Sequence, residues 1–99
     1  MARYDVYVHP DGDGYLLDVQ ADLLSGLNTC VVVPLMLAKD APKPADRLNP
    51  VFHIEGREVV MATQFMAAVP KSVLSMPVAS LMGCDIEITN AIDMVFQGF

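Results

Sequence analysis

The sequence contains no tryptophan, two cysteines and six basic residues among 99. Cys30 and Cys84 are too few for a disulfide framework, so we expect two reduced thiols. The basic residues are scattered and none follows Lys71, whereas binding to a phosphate backbone requires a basic stripe. Because twelve acidic residues leave a net charge of −6, we predict no direct binding to nucleic acid.

The chain also lacks a long hydrophobic run. The longest run extends only from Cys30 to Ala38 and contains Pro34, whereas a spanning helix needs roughly 20 apolar residues. Near the N-terminus, Arg3 and Asp5 interrupt the apolar core that a signal peptide requires. The sequence therefore predicts a cytoplasmic protein with no membrane partner.

Apolar side chains are nevertheless abundant. Hydrophobic residues make up 54% of the chain and charged residues 18%, which excludes an intrinsically disordered chain. The length allows one domain, spanning residues 1–99. Because so small a domain cannot bury that much apolar surface by itself, we expect a homodimer.

The first two thirds of the chain favour short strands, since apolar residues alternate or cluster between turn signals. His9–Gly14 predicts a hairpin turn, Glu55-Gly56 predicts a second one, and Pro34 is expected at a strand end or a bulge. Leu37–Pro50 is expected to form an exposed proline-rich loop. The pattern is typical of an antiparallel sheet or small barrel. The predicted strands are Arg3–Val8, Tyr15–Ala21, Val31–Val33, Val51–Ile54, Arg57–Thr63 and Phe65–Val69.

A helix is predicted from Asp85 onward, with its end at Gly98. Its apolar residues recur with helical spacing, an acidic residue near the start suits the helix dipole, and Gly98 lies where helices end in the left-handed conformation. The predicted core-facing residues are Ile88, Ala91, Ile92, Val95 and Phe96.

The residues alone indicate no enzyme. His9 and His53 are the only histidines, no spacing resembles a metal site, and no glycine-rich loop could hold a phosphate. Asp18 and Gln20 share one face of a predicted strand, where a hydrogen-bonded structural role is the simpler interpretation. We therefore expect no catalytic residue, no metal and no cofactor.

The C-terminal end, Phe96-Gln97-Gly98-Phe99, places two aromatic residues just past a helix. Free C-termini are usually polar and frayed. Two interpretations remain open: the aromatic end packs into the core of its own chain, or it binds a partner.

Five stretches, in this order, resemble the CcdB family of toxins from toxin–antitoxin systems. The resemblance spans essentially the whole chain, and it depends on all five stretches occurring in the same order. The stretches are LDVQADL at 17–23, VPL at 33–35, NPVFHI at 49–54, MAAVP at 66–70 and NAIDMVFQGF at 90–99.

The resemblance implies a homodimer of SH3-like antiparallel barrels, each with a C-terminal helix. It also implies a binding protein that is not an enzyme. Family members bind the A subunit of DNA gyrase, a type II topoisomerase, and trap it on cleaved DNA. A cognate antitoxin neutralises them through a disordered C-terminal arm.

By position, the resemblance assigns gyrase contacts to a turn after the second strand and to the helix end. Gln97 stands where the best-known members carry a tryptophan, whose ring stacks on an arginine of gyrase. Losing such a stack costs about 0.5–2 kcal/mol. The assigned residues are Leu23, Leu24, Asp93, Phe96, Gln97, Gly98 and Phe99.

The resemblance assigns antitoxin contacts to the first hairpin turn, the proline-rich loop and the helix region from Asp85 to Phe96. The residues named on the two loops are Asp11, Asp13, Lys43 and Arg47. Because the turn is acidic, we expect a basic antitoxin arm opposite it. Two alternatives remain open. One is a family member that binds antitoxin without poisoning gyrase, which Gln97 suggests; the other is an endoribonuclease like the MazF and Kid toxins, which the acidic balance disfavours.

Overall fold

The computed structural model describes residues 1–99 and consists of seven strands followed by one helix. Single 3₁₀ turns at residues 22–24, 63–65, 71–73 and 82–84 connect some of these elements. The strands are β1 (Asp5–Val8), β2 (Tyr15–Asp18), β3 (Thr29–Leu37), β4 (Val51–Ile54), β5 (Arg57–Met61), β6 (Ala67–Pro70) and β7 (Ala79–Ser80), and the helix is α1 (Asp85–Gln97).

Strand β3 organises the sheet. One edge pairs with β2, with Val33 opposite Leu17. The other edge pairs first with β6 and then with β5. All pairings are antiparallel, and the strand order is β4-β5-β3-β2-β1-β7 with β6 beside β3. The sheet forms a nearly closed barrel, which confirms the predicted fold class.

Pro34 does not end its strand as expected, because β3 continues to Leu37. Pairing with β6 stops at Val32, and pairing with β5 starts at Leu35. The carbonyl of Pro34 accepts a hydrogen bond from Ala62 N at 2.9 Å on that edge. Since N and O of one residue in an antiparallel strand point to the same edge, the missing N–H of Pro34 also lies on the side of Ala62, just past the end of β5.

Other strand ends also differ from the prediction. β1 begins at Asp5 because Tyr4 has a positive φ of 73°. Val8 is exposed and Tyr7 is buried. The expectation that alternate apolar residues of β1 all face the core is therefore wrong. β2 ends at Asp18, and residues 63–65 form a 3₁₀ turn where a strand was expected to end and another to begin.

The buried side chains form two clusters on opposite faces of the sheet. The larger cluster lies under α1 and includes Leu17, Val33, Leu35 and Ile88. The smaller cluster comprises Tyr7, Leu16, Cys30, Val32 and Leu74. Both faces of β2 and β3 are therefore packed, which explains their nearly continuous apolar sequence.

Helix α1 has the predicted bounds and ends at Gly98, which is left-handed with φ 81°. Ile88 and Ala91 are fully buried and Ile92 is partly buried, but Val95 and Phe96 are exposed. The apolar stripe thus leaves the core near Ile92, and the expectation that Val95 and Phe96 face it is wrong. No helix in the structure is both long and apolar enough to span a membrane.

Gly14 is the tightest point of the β1–β2 hairpin. Its φ is +93°, and a Cβ at this position would lie 2.6 Å from the carbonyl oxygen of Leu35. We expect Gly14→Ala to lower the free energy of unfolding by about 2–4 kcal/mol, because a left-handed backbone and a backbone clash are both penalised. Gly12→Ala is the matched control, since nothing lies within 4 Å of its Cβ position. Urea denaturation that gives equal stabilities for the two variants would contradict this account.

Candidate protein-binding site

The end of α1 exposes two aromatic side chains. Phe96 and Phe99 are each 70% exposed, and Val95 is 40% exposed. Gly98 N donates to the carbonyl of Met94 at 3.1 Å, so the chain turns sharply at its last two residues. Of the two interpretations of the C-terminus, packing into the core of its own chain is wrong.

The polar residues assigned to the helix end differ in exposure. Gln97 is exposed, whereas Asp93 is partly buried. The last turn contains no basic residue that could compensate the negative end of the helix dipole. The helix end thus combines exposed aromatic surface with negative electrostatic potential.

A second exposed apolar feature lies in the 3₁₀ turn after β2. Leu23 is 94% exposed and Leu24 is 45% exposed. No residue of this turn is buried. A large apolar side chain held almost wholly in water is typical of an interaction surface when other apolar groups accompany it.

Different elements of the fold support the aromatic end of α1 and the turn that carries Leu23. The turn that carries Leu23 is hydrogen-bonded to the chain near β3 and Lys71, whereas α1 packs against the 3₁₀ turn at residues 63–65. No hydrogen bond joins residues 21–25 to residues 93–99. A partner that contacts both features must therefore bridge two separately supported surfaces.

The residues assigned to antitoxin binding lie on two loops. Asp11 and Asp13 are exposed in the β1–β2 turn, where Asp11 N donates to Nδ1 of His9 at 3.1 Å. Lys43 and Arg47 are exposed in the loop before β4, as predicted for that segment.

Arg47 borders an open cavity of about 500 Å³ between this loop and α1. Glu87 and Asn90 of the helix line the other side. Charges of both signs therefore surround the cavity, which suits a polar or charged peptide segment better than an apolar one.

An apolar groove of about 340 Å³ was missed by the sequence reasoning. It runs along the outer face of the sheet, and Phe65, which is 51% exposed, lies on its wall with Val69 and Val73. Because a strand was predicted to begin at Phe65, the sequence offered no reason to expect a groove there. The adjacent apolar residues 65–70 were the only available signal, because the groove depends on which strands become neighbours.

Three titratable groups are buried near one another below the Leu23 turn. Burial, followed by the charge of Asp5, raises the pKa of Tyr7 to about 12. Burial and the neighbouring Asp18 raise the pKa of the Cys30 thiol to about 12. Cys30 therefore stays protonated at neutral pH and does not supply a thiolate nucleophile.

Asp18 is itself 4% exposed. Burial raises its pKa above the usual range, although hydrogen bonds from Cys30 and from Gln20 N act in the opposite direction. The Gln20 N–H lies 2.9 Å from Asp18 Oδ1. Asp18 thus has the hydrogen-bonded structural role that was expected from the sequence.

The fold of this chain, a seven-stranded barrel with one C-terminal helix, also occurs in solved structures. It superposes on the Mycobacterium tuberculosis toxin MazF-mt6 with a TM-score of 0.76, at 12% identity over 93% of this chain and 95% of that one. It also superposes on an endoribonuclease in complex with its cognate antitoxin from a mycobacterial species, with a TM-score of 0.76 at 14% identity over 97% and 94% of the two chains.

At these identities the likeness concerns the fold alone. The family comparison is more specific, since the CcdB protein family matches residues 3–98. The chain belongs to the CcdB family, whose members are toxins of toxin–antitoxin systems.

The raised pKa of Asp18 predicts how stability depends on pH. The folded protein holds this proton more tightly than the unfolded chain, so the free energy of unfolding should fall as pH rises from 3.8, the ordinary value, to the folded pKa. Asp18→Asn keeps an oxygen for the Gln20 N–H and removes the ionisation. We therefore expect the variant to be more stable than wild type above this range, with a smaller pH slope within it.

The control for this prediction is Asp40→Asn, which makes the same charge change at an exposed site. Thermal unfolding measured between pH 3.5 and 8 checks both variants. Identical slopes for Asp18→Asn and wild type would show that Asp18 ionises without penalty in the folded state.

Proposed function

We propose that this chain is a protein-binding toxin that binds the A subunit of DNA gyrase, traps the cleaved-DNA complex and is neutralised by a cognate antitoxin. It acts in the cytoplasm as a homodimer and catalyses no reaction. The observation that carries the proposal is the exposed aromatic end of α1, where Phe96 and Phe99 are each 70% exposed.

Exposed aromatic side chains at a fixed helix end suit a binding hot spot. Aromatic residues dominate the free energy of protein interfaces because they bury a large area with few rotatable bonds. Here α1 is anchored by Ile88 and Ala91, which are fully buried, so the aromatic end is held on a rigid support. A target can then bury both phenylalanines at a small cost in ordering.

The charge of the chain supports a protein surface as the direct target. A net charge of −6 opposes approach to a phosphate backbone. Asp93, near the aromatic end, would favour a basic group on the target. Trapping gyrase on cleaved DNA needs only tight binding to one state of the enzyme, and no residue of the toxin has to perform chemistry.

Antitoxin binding is proposed for the two exposed loops that carry the assigned residues. The acidic turn with Asp11 and Asp13 favours a basic segment, since opposite charges steer association and like charges penalise wrong partners. The cavity bordered by Arg47 and Glu87 accommodates polar side chains further along the same arm. These loops are separate in sequence from the aromatic end.

Gln97 motivates the second candidate function, a family member that binds antitoxin without poisoning gyrase. Its side chain is exposed at the aromatic end and can hydrogen-bond, but it offers no aromatic face for a guanidinium. An endoribonuclease activity is the alternative suggested by the structural neighbours. An RNA-cleavage assay run beside the gyrase assays separates it from both binding functions.

Deletion of residues 97–99 tests the proposed target site. We expect toxicity and gyrase-dependent DNA cleavage to be lost, whereas antitoxin binding persists. The free energy of unfolding should fall by only about 1 kcal/mol or less, because the removed side chains are exposed. Ile88→Ala is the contrasting variant, with an expected loss of about 2–5 kcal/mol at a fully buried site. A truncated protein that remains toxic would overturn the assignment.

Gln97→Trp restores the aromatic face within the same experiment. Binding to the gyrase A subunit, measured by calorimetry, should strengthen by about 1–2 kcal/mol. His53→Trp serves as a control, because His53 is exposed on β4 and belongs to none of the proposed binding surfaces. Unchanged affinity in Gln97→Trp would remove Gln97 from the proposed interface.

The homodimer is supported by the amount of apolar surface left exposed on one chain. The exposed side chains of Phe65 and Val73 line the outer groove, and Val8 and Met76 are further exposed large apolar residues of the chain. We expect sedimentation equilibrium at micromolar concentration to give twice the mass of the chain. A Phe65→Glu variant should shift the protein toward monomer, whereas Val51→Glu, at an exposed site on a strand outside the groove, should not. A monomeric wild type would contradict the dimer.

A further inference from the structure

The segment from Ala21 to Thr29 holds its conformation without buried side chains. Every one of its residues is exposed, so no buried side chain fixes the segment by packing. Leu23, Leu24 and Leu27 are all among the exposed large apolar residues. Segments with so few buried contacts usually open easily, yet this one carries side chains assigned to target binding.

One side chain ties the middle and the C-terminal end of the segment to the sheet. Gln20 Nε2 donates to the carbonyl of Leu24 at 3.3 Å and to the carbonyl of Thr29 at 3.1 Å. Its Oε1 accepts from Val31 N at 3.1 Å. A single amide group thus links the 3₁₀ turn, the end of the segment and the backbone of β3.

Gln20 is held in place from the opposite side. Its own N–H donates to the buried carboxyl of Asp18 at 2.9 Å. Its neighbour Val19 is buried, and Val19 N donates to Val31 O at 3.1 Å. The amide therefore projects from a rigid part of the barrel, and its three hydrogen bonds constrain the segment relative to that part.

Lys71 provides a second, independent anchor. Its Nζ donates to the carbonyl of Ser25, and its backbone N donates to the carbonyl of Asn28 at 2.9 Å. The carboxylate of Asp22 accepts from Arg3 N at 2.8 Å. All of these anchors act on polar atoms of the segment, and the leucine side chains remain free.

We propose that Gln20 is a positioning residue, which holds the Ala21–Thr29 segment in the conformation that presents Leu23 to the target. The inference rests on the proposed function, because it assigns to Gln20 the preorganisation of that target surface. Preorganisation strengthens binding because less conformational entropy is lost when the complex forms. Gln20 itself need not touch the target.

The test compares Gln20→Met, which preserves the length of the side chain without its hydrogen bonds, with Gln20→Glu. The glutamate keeps an oxygen for Val31 N but cannot donate to Leu24 and Thr29. Gln64→Met is the matched control, since Gln64 accepts a hydrogen bond from Asn49 Nδ2 in another part of the barrel. Gln20→Glu serves as the test variant if Gln20→Met does not fold, and Lys71→Met removes the hydrogen bond from Nζ to Ser25 for comparison.

Two measurements are made on the full chain: amide hydrogen exchange, and calorimetric binding to the gyrase A subunit. In Gln20→Met we expect exchange at Leu24, Ser25 and Leu27 to accelerate at least tenfold, with β5 and α1 unchanged. Affinity for gyrase should fall about tenfold, equivalent to 1.4 kcal/mol, with a more unfavourable binding entropy. Gln20→Glu should leave Val31 more protected than Gln20→Met does.

Unchanged exchange in Gln20→Met would overturn the proposal whatever the target is, and whatever Lys71→Met does. Faster exchange with unchanged gyrase affinity would overturn it as well, since the order of the segment would then be irrelevant to binding. A wild-type protein that does not bind gyrase would contradict the proposed function instead, and the exchange data would still decide whether Gln20 orders the segment.

Discussion

The fold depends on one strand, β3, which has to satisfy hydrogen bonds on both edges and pack on both faces. Its first edge pairs with β2, and its second edge is shared between β6 and β5. The change of partner falls between Val32 and Leu35, where Pro34 lies. A residue that would weaken an ordinary central strand thus lies between the two paired segments, where it interrupts neither of them.

Because β3 and its neighbours have clusters on both faces, the interior of this small domain is built almost entirely from strands. The helix contributes only a short buried portion around Ile88 and Ala91. Its last turn is consequently free to carry exposed aromatic side chains without loss of core packing. The Leu23 turn is similar, because hydrogen bonds from polar groups hold its backbone while its apolar side chains are exposed to water.

The barrel is shared with endoribonuclease toxins at 12–14% identity, whereas the family match is to CcdB. The shared fold does not by itself assign an activity, since function resides in the surface groups that a fold carries. In this chain the distinguishing surface groups are the aromatic helix end, the Leu23 turn and an acidic hairpin turn. Asp18 and Cys30 are buried inside the barrel, and burial raises the pKa of both.

The sequence by itself determined the features that depend on neighbouring residues: the helix from Asp85 to Gln97, its end at Gly98, and the tight hairpin at Glu55-Gly56. Helical spacing and positive-φ turns act over a few residues, so local patterns are sufficient to predict them. Three features depend on the tertiary structure: the position of Pro34 inside β3, the exposure of Phe96 and Phe99, and the groove beside Phe65. Each depends on which distant segments become neighbours, and a local pattern of apolar residues does not contain that information.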